Sequence, residues 1–248
     1  MPDQFLYFDT ETTDIQTKDI LQLAFVTDSD ISLNLFFKPK HEISTASMAV
    51  HHITPEDVKD LEYFEYTQLP KEHIDPEFKG KTLNEYIRFL ANRYTWVAHN
   101  ADFDVETLKR QGLEIKDPIC TLKLARHVLT DGDRDLEHYN LQYLRYYLKL
   151  YKNEDQDHIT AHDALSDVYF LRDLFHYLKD NTKLTTEQMI LISKQPMMIR
   201  QMTFGKYAGM TLEEIKKIDR EYLEWAAQAM DDKPELVWNI QRVLDNSN

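Results

Sequence analysis

Phe5-Leu-Tyr-Phe8 is an unbroken apolar and aromatic run, and it leads directly into Asp9-Thr-Glu11-Thr-Thr13. A short run without polar alternation reads as a strand buried in the middle of a sheet. Residues two apart on a strand share a face, so Asp9 and Glu11 stand side by side where the buried part ends. Two adjacent carboxylates repel each other unless a proton or a cation lies between them, and a hard divalent ion such as Mg²⁺ prefers oxygen ligands. Strands also end in acidic residues that simply face water. For this pair alone both readings stay open.

Two later segments add to the pair. Thr95-Trp-Val-Ala98 is a second short apolar strand, followed by His99-Asn-Ala-Asp-Phe-Asp104 and then by Val105 and Leu108 at helical spacing. Asp104 therefore falls at a strand-to-helix crossing, where side chains project into the crevice at the end of a sheet. Further on, Thr160-Ala-His-Asp163 has the pattern of a capping box, opening a helix through Leu165, Val168, Phe170, Leu171 and Leu174. That helix carries His162 in its first turn and Asp167 in its second. The two are about 140° apart on an ideal helix, so they share a cleft only if the first turn leans over it.

Several carboxylates with one histidine suit phosphodiester hydrolysis. Two divalent ions about 3.5–4 Å apart can activate a water and stabilise the leaving oxygen, and an imidazole titrating near neutrality can take the water's proton.

Three segments, Phe8-Asp-Thr-Glu-Thr12, His99-Asn-Ala-Asp-Phe-Asp104 and His162-Asp-Ala-Leu-Ser-Asp167, resemble the exonuclease motifs of the DEDD superfamily. The histidine five residues before the last aspartate matches that superfamily's histidine-containing branch. The resemblance implies an α/β fold of ribonuclease H type, two Mg²⁺ or Mn²⁺ ions, and 3′→5′ hydrolysis releasing nucleoside 5′-monophosphates. By the same resemblance Asp9, Glu11, Asp104 and Asp167 match metal ligands, and His162 matches the general base. Asp102 precedes the aromatic residue of its motif instead of following it, and is expected to be a solvated neighbour. Thr12, Asn100 and Phe103 fall where relatives touch the terminal nucleotide; Phe103 is open between a base-supporting ring and a core side chain.

The stretch Pro39 to Glu56 ends in His51-His52-Ile53-Thr54, where the superfamily often has histidine-glycine-isoleucine-threonine beside the substrate's 3′ end. The replacement of glycine by His52 resembles exonuclease X-type enzymes. His51 is read as solvated, and His52 as either solvated or a substrate contact. Thr54 is expected to cap a short helix with Pro55 at its first position.

Forty-three acidic against 29 basic residues leave a net charge of −14, and no basic stripe of the kind that coats nucleic acid is evident. Lys109, Arg110, Lys123 and Arg126 are the local candidates for phosphate contact, so weak, distributive binding is expected. The single cysteine, Cys120, is expected in the core and fits a reducing cytoplasm. No apolar run has the length of a membrane span.

Strands are expected at Leu21 to Val26 and Ile31 to Phe37, joined by a turn over Thr27-Asp-Ser-Asp30. Helical spacing recurs at Leu83, Ile87 and Leu90, and at Leu141, Leu144 and Leu148. The expected architecture is a mixed five-stranded sheet flanked by helices over residues 1–180, a connector at 181–201 with one helix from Thr185 to Ser193, and a small module at 202–248. Gly205-Lys-Tyr-Ala-Gly209 reads as a tight turn and is too short for a Walker loop. Lys206 and Tyr207 are candidates for nucleic-acid contact, and docking onto the larger domain is the expected role of the module, which resembles the one that follows exonuclease X-type domains.

The functional expectation is a metal-dependent 3′→5′ exonuclease acting on the 3′ ends of DNA, single-stranded or frayed. The alternatives are an exoribonuclease trimming short RNA, and a weakly catalytic subunit that binds 3′ ends or a polymerase. A homodimer or a polymerase or repair partner stays open.

Overall fold

The computed structural model describes residues 4–69, 81–152 and 164–246. Five strands form one sheet in the order β3-β2-β1-β4-β5. β1 (Phe5–Thr12) pairs antiparallel with β2 (Ile20–Thr27), which pairs antiparallel with β3 (Ser32–Phe36). On its other side β1 runs parallel to β4 (Thr95–Ala98), which runs parallel to β5 (Ile119–Cys120). The β2–β3 turn closes where expected. The Ile31 N–H donates to Thr27 Oγ1 (3.1 Å), and Asp30 takes the left-handed conformation that the reversal needs, at φ 59°.

Alternation along β1 sorts its side chains into two cores. Leu6 and Phe8 face a cluster with Trp96, Leu83, Ile87 and Leu108, contributed in part by α3 (Leu83–Ala91) and α4 (Ala101–Arg110). Phe5 and Tyr7 face Leu124, Val168, Leu171 and Phe175, from α5 (Thr121–Val128) and α7 (Ala164–Thr182). The Phe5 and Phe175 rings lie 4.7 Å apart, and Phe8 meets Trp96 edge-on at 4.8 Å. Thr82 starts α3 with a reciprocal cap, its backbone N–H donating to Glu85 Oε2 (2.8 Å) and its hydroxyl accepting from the Glu85 N–H.

β1 extends beyond its pairing with β4. The parallel ladder ends at Tyr7 opposite Val97, whereas the antiparallel ladder with β2 continues to Thr12. Past Tyr7 one edge of β1 is thus open, and the first turn of α4 stands beside it. α1 (Thr45–His51) and α2 (Pro55–Val58) cross near the same end, with Thr54 capping α2 ahead of Pro55 as expected. α6 (Leu141–Tyr147) precedes α7.

α8 (Thr186–Lys194) starts at the Thr185 cap and lies along the free edge of β5. There Ser193 Oγ accepts from the Cys120 N–H (2.8 Å), and Met189 joins the core shared by α5 and α7. Cys120 is buried, as expected. Beyond it α9 (Leu212–Ile218), α10 (Arg220–Ala229) and α11 (Pro234–Asp245) enclose a core of their own that includes Met202, Leu212, Ile215, Leu223 and Ile240. Arg134 binds both carboxylate oxygens of Glu214 (3.0 and 3.2 Å). Arg200 binds Asp135 (3.1 Å) and the His127 carbonyl (2.8 Å). These contacts strap the helical module to the sheet domain. Among the described residues no helix is long and apolar enough to cross a membrane.

Candidate active site

The carboxylates of Asp9 and Glu11 lie on the β1 face shared with Phe5 and Tyr7, the face that α7 covers. Asp167 sits in the first turn of α7 and approaches from that side. Asp104 comes from the opposite layer, on the first turn of α4. It is 2% exposed, and its Oδ1 accepts from both the backbone N–H (3.0 Å) and the hydroxyl (2.7 Å) of Thr10. Asp104 thereby satisfies the N–H that β4 leaves unpaired on the open edge of β1.

These four acids share one electrostatic field. Burial, followed by the charges of Asp104, Glu11 and Asp167, holds Asp9 well above the usual carboxylate range. Glu11 is pushed up to about 7 by burial first and then by Asp104 and Asp167. Asp104 is pushed up to about 7 by burial, against the opposing pull of the Thr10 hydrogen bonds and the Lys18 charge. Cations placed among them would relieve the repulsion. The donor set is all carboxylate oxygen, which suits Mg²⁺ or Mn²⁺. Among the described residues no three acidic, imidazole or thiol groups stand close enough together to hold a metal ion as the side chains lie, so a bound ion would have to draw these carboxylates in. The Asp167 Oδ1 accepts from Gln142 Nε2 of α6 (2.8 Å), which fixes one side of that carboxylate.

A cleft of about 680 Å³ opens beside Glu11. Thr12, Asn100 and Phe103 line one part of it, opposite Val50 and His51. Asn100 is left-handed at φ 68° and its side chain does not cap α4. The half-buried Phe103 ring carries Lys18 Nζ 4.5 Å from its centre, so of its two open readings the structure favours the cleft wall over the core. Three of the four expected nucleotide contacts therefore gather in one place.

Of the paired histidines, His51 departs from expectation, whereas His52 is exposed, which agrees with one of its two readings. His52 is exposed and takes the left-handed position that ends α1 (φ 61°), with its N–H donating to the Met48 carbonyl. That conformation favours glycine, so His52 occupies a position where a side chain is tolerated at a cost. His51 is buried instead of solvated and lines the cleft. Its Nδ1 accepts from the Ile53 N–H (3.0 Å), which leaves the ring proton on the buried Nε2, on the side of the Thr12 backbone. Burial lowers its pKa.

Other polar expectations also resolve. Asp102 is exposed and pairs with Lys123 (2.8 Å), and so stays apart from the acidic group. Arg110 is spent on Glu106 and on the carbonyls of Gln16 and Thr17, and Arg126 lies over the Tyr139 ring. Tyr207 is buried with its hydroxyl on Asp219, and Lys206 pairs with the same carboxylate (3.2 Å), so neither is presented for stacking on a base. His162 and the Thr160–Asp163 capping pattern lie outside the described residues. Thr10 and Gln142 went unmarked in the sequence. Gln142 could have been noticed only as a polar residue one step off the Leu141–Leu144–Leu148 stripe.

The profile of the family described as "Exonuclease" matches residues 6–175, and that described as "Exodeoxyribonuclease X-like C-terminal" matches residues 202–231. Exodeoxyribonuclease 10 of Escherichia coli K12 is 29% identical over 249 residues, covering 96% of this chain and 98% of that protein. The solved structure of exonuclease X in complex with 5′ overhanging duplex DNA superposes with a TM-score of 0.54 at 26% identity, covering 76% of this chain and 99% of that one. Escherichia coli exonuclease I in complex with a dA16 oligonucleotide shares the fold, with a TM-score of 0.50 at 16% identity; the match covers 72% of this chain and 41% of that larger one.

Proposed function

The chain belongs to the exonuclease family, and from that premise we propose that it is a metal-dependent 3′→5′ exodeoxyribonuclease. The observation that carries this reading is the meeting of Asp9 and Glu11 from β1, Asp104 from α4 and Asp167 from α7 closely enough that their charges repel one another. Asp9, Glu11, Asp104 and Asp167 would hold two divalent ions. Those ions would neutralise the phosphate oxygens, lower the pKa of an attacking water and stabilise the departing oxygen.

The chain's own groups supply the rest. Thr12, Asn100 and Phe103 would seat the terminal nucleotide in the cleft, with the His51 ring as part of its wall. His162, placed five residues before Asp167 in the sequence, would take a proton from water as the water oxygen bonds to phosphorus and the P–O3′ bond breaks. The products are a nucleoside 5′-monophosphate and a strand one nucleotide shorter. Preference for DNA is supported by the similarity to exodeoxyribonuclease 10 over nearly the whole chain.

The test is product analysis on 5′-labelled single-stranded DNA and RNA of equal sequence, with Mg²⁺ and with Asp9→Ala as control. A ladder shortening from the 3′ end of DNA, absent in the variant, is the expected result. Degradation of RNA alone would overturn the assignment to DNA.

A further inference from the structure

A basic and aromatic strip leads away from the acidic site along α6. From Asn140 to Lys152 the chain has Arg145, Lys149 and Lys152, no acidic residue, and tyrosines at 143, 146, 147 and 151. Acidic residues bracket the stretch, with Asp135 and Glu137 before it and Glu154 and Asp155 after it, so the positive charge is confined to the strip. In a chain of net charge −14 this is a local complement to a polyanion.

The strip is physically continuous with the candidate site. Gln142 donates to Asp167 Oδ1 (2.8 Å) and accepts from Arg145 Nη1 at Oε1 (3.2 Å). Arg145 and Tyr146, three and four residues on, share its helix face. The Arg145 guanidinium lies 3.9 Å from the centre of the Phe170 ring and 5.1 Å from that of Tyr146. Tyr146 is 58% exposed and Tyr151 41%, with ring centres 5.6 Å apart, and Lys149 and Lys152 are exposed beside them. A core explanation fails for rings this exposed. Exposed rings interleaved with cations hold single-stranded nucleic acid by stacking bases and neutralising phosphates, without reading sequence.

We propose that Arg145, Tyr146, Lys149 and Tyr151 receive the single strand a few nucleotides inward of its 3′ terminus, as an extension of the cleft. This rests on the exonuclease reading. Tyr146 and Tyr151 offer π-faces to successive bases, and Lys149 and Lys152 meet the backbone between them. The strip thus grips longer strands, whereas a dinucleotide is held by the cleft alone.

The test compares kcat/KM on a 20-nucleotide single-stranded DNA and on a dinucleotide, for the wild type, for Tyr146→Ala/Tyr151→Ala and for Lys149→Ala, with circular dichroism to confirm folding. Loss of stacking should lower kcat/KM on the 20-mer by about 5- to 100-fold, mainly through KM. That loss should exceed any loss on the dinucleotide by about tenfold, and Tyr146→Phe should retain the wild-type ratio. Lys149→Ala should flatten the salt dependence of 20-mer binding by about 0.7 in log–log slope. Equal losses on both substrates, or none on the 20-mer, from a wild type active on both would overturn the strip while leaving the exonuclease reading intact. A wild type that cleaves neither substrate would overturn the exonuclease reading and the strip with it.

Discussion

Thr10 holds the Asp104 carboxylate by two hydrogen bonds, one from its backbone N–H (3.0 Å) and one from its hydroxyl (2.7 Å). The pair joins β1 to α4 where the β1–β4 ladder has ended, and so sets the distance between the acids of two motifs that lie about 95 residues apart in the chain. A buried anion depends on such donors. Removing the hydroxyl in Thr10→Val should cost about 1.5–3 kcal/mol of interaction with the charged group. Turnover should fall by about tenfold or more and the Mg²⁺ requirement should rise, whereas Thr10→Ser should behave nearly as wild type. Metal-dependence curves for the three proteins are the check; indistinguishable curves would mean that the Thr10 hydroxyl does not position Asp104.

Gln142 fixes Asp167 from outside the acidic group (2.8 Å). Groups that orient a ligand without touching the ion change affinity by about 10- to 100-fold when removed. Gln142→Leu should therefore raise the Mg²⁺ concentration needed for half-maximal activity by that order while altering dinucleotide KM little. A change in KM at unaltered metal dependence would make Gln142 a substrate contact.

The repulsion among Asp9, Glu11, Asp104 and Asp167 predicts stabilisation by divalent ions. At about one hundred times the dissociation constant a ligand adds about 2.7 kcal/mol, or roughly 5–10 °C in Tm for a chain of this size. Asp104→Asn should shrink that increment, and it should lose the metal-free penalty of one buried negative charge. Thermal melts with EDTA and with Mg²⁺ test this, and an Mg²⁺ effect of equal size in the variant would contradict it.

His99 predicts acid sensitivity that is separate from the acidic group. Its Nε2–H donates to the Tyr139 carbonyl (2.9 Å) and its Nδ1 lies 3.0 Å from the Thr121 hydroxyl, in surroundings whose burial favours the neutral ring. Burial pushes its pKa down to about 4. The unfolded chain, at about 6.5, binds the proton more readily, so this contribution is complete above pH 6.5 and fades as pH falls towards 4. The loss reaches about 3 kcal/mol once the ring is protonated in both states. Urea unfolding of wild type and His99→Asn between pH 4 and 7 should show a shallower decline in the variant, and parallel declines would refute the assignment.

The central strand and the order of acidic motifs were legible because charges that follow an apolar run have few purely structural explanations. Asp104 was separable from Asp102 by its place after Phe103, and the structure puts the first in the core and the second on the surface. His51 and His52 were not separable. Which of two adjacent histidines turns inward depends on where α1 ends, and the left-handed residue at that end is fixed by packing of the whole segment. Thr10 lay hidden by alternation, since it belongs to the face opposite Asp9 and Glu11, and only the early end of β4 brings Asp104 to it. The tyrosines of α6 lie among leucines and read as a helix of mixed polarity until their exposure is known.

The most direct measurement is calorimetric titration of Mn²⁺ into the metal-free protein, the wild type beside Asp9→Ala and Asp167→Ala. Asp9, Glu11, Asp104 and Asp167 as a shared ligand set predict two equivalents bound by the wild type, with loss of at least one in each variant and loss of DNA hydrolysis in parallel. Two equivalents retained by both variants would place the ions elsewhere and contradict the assignment.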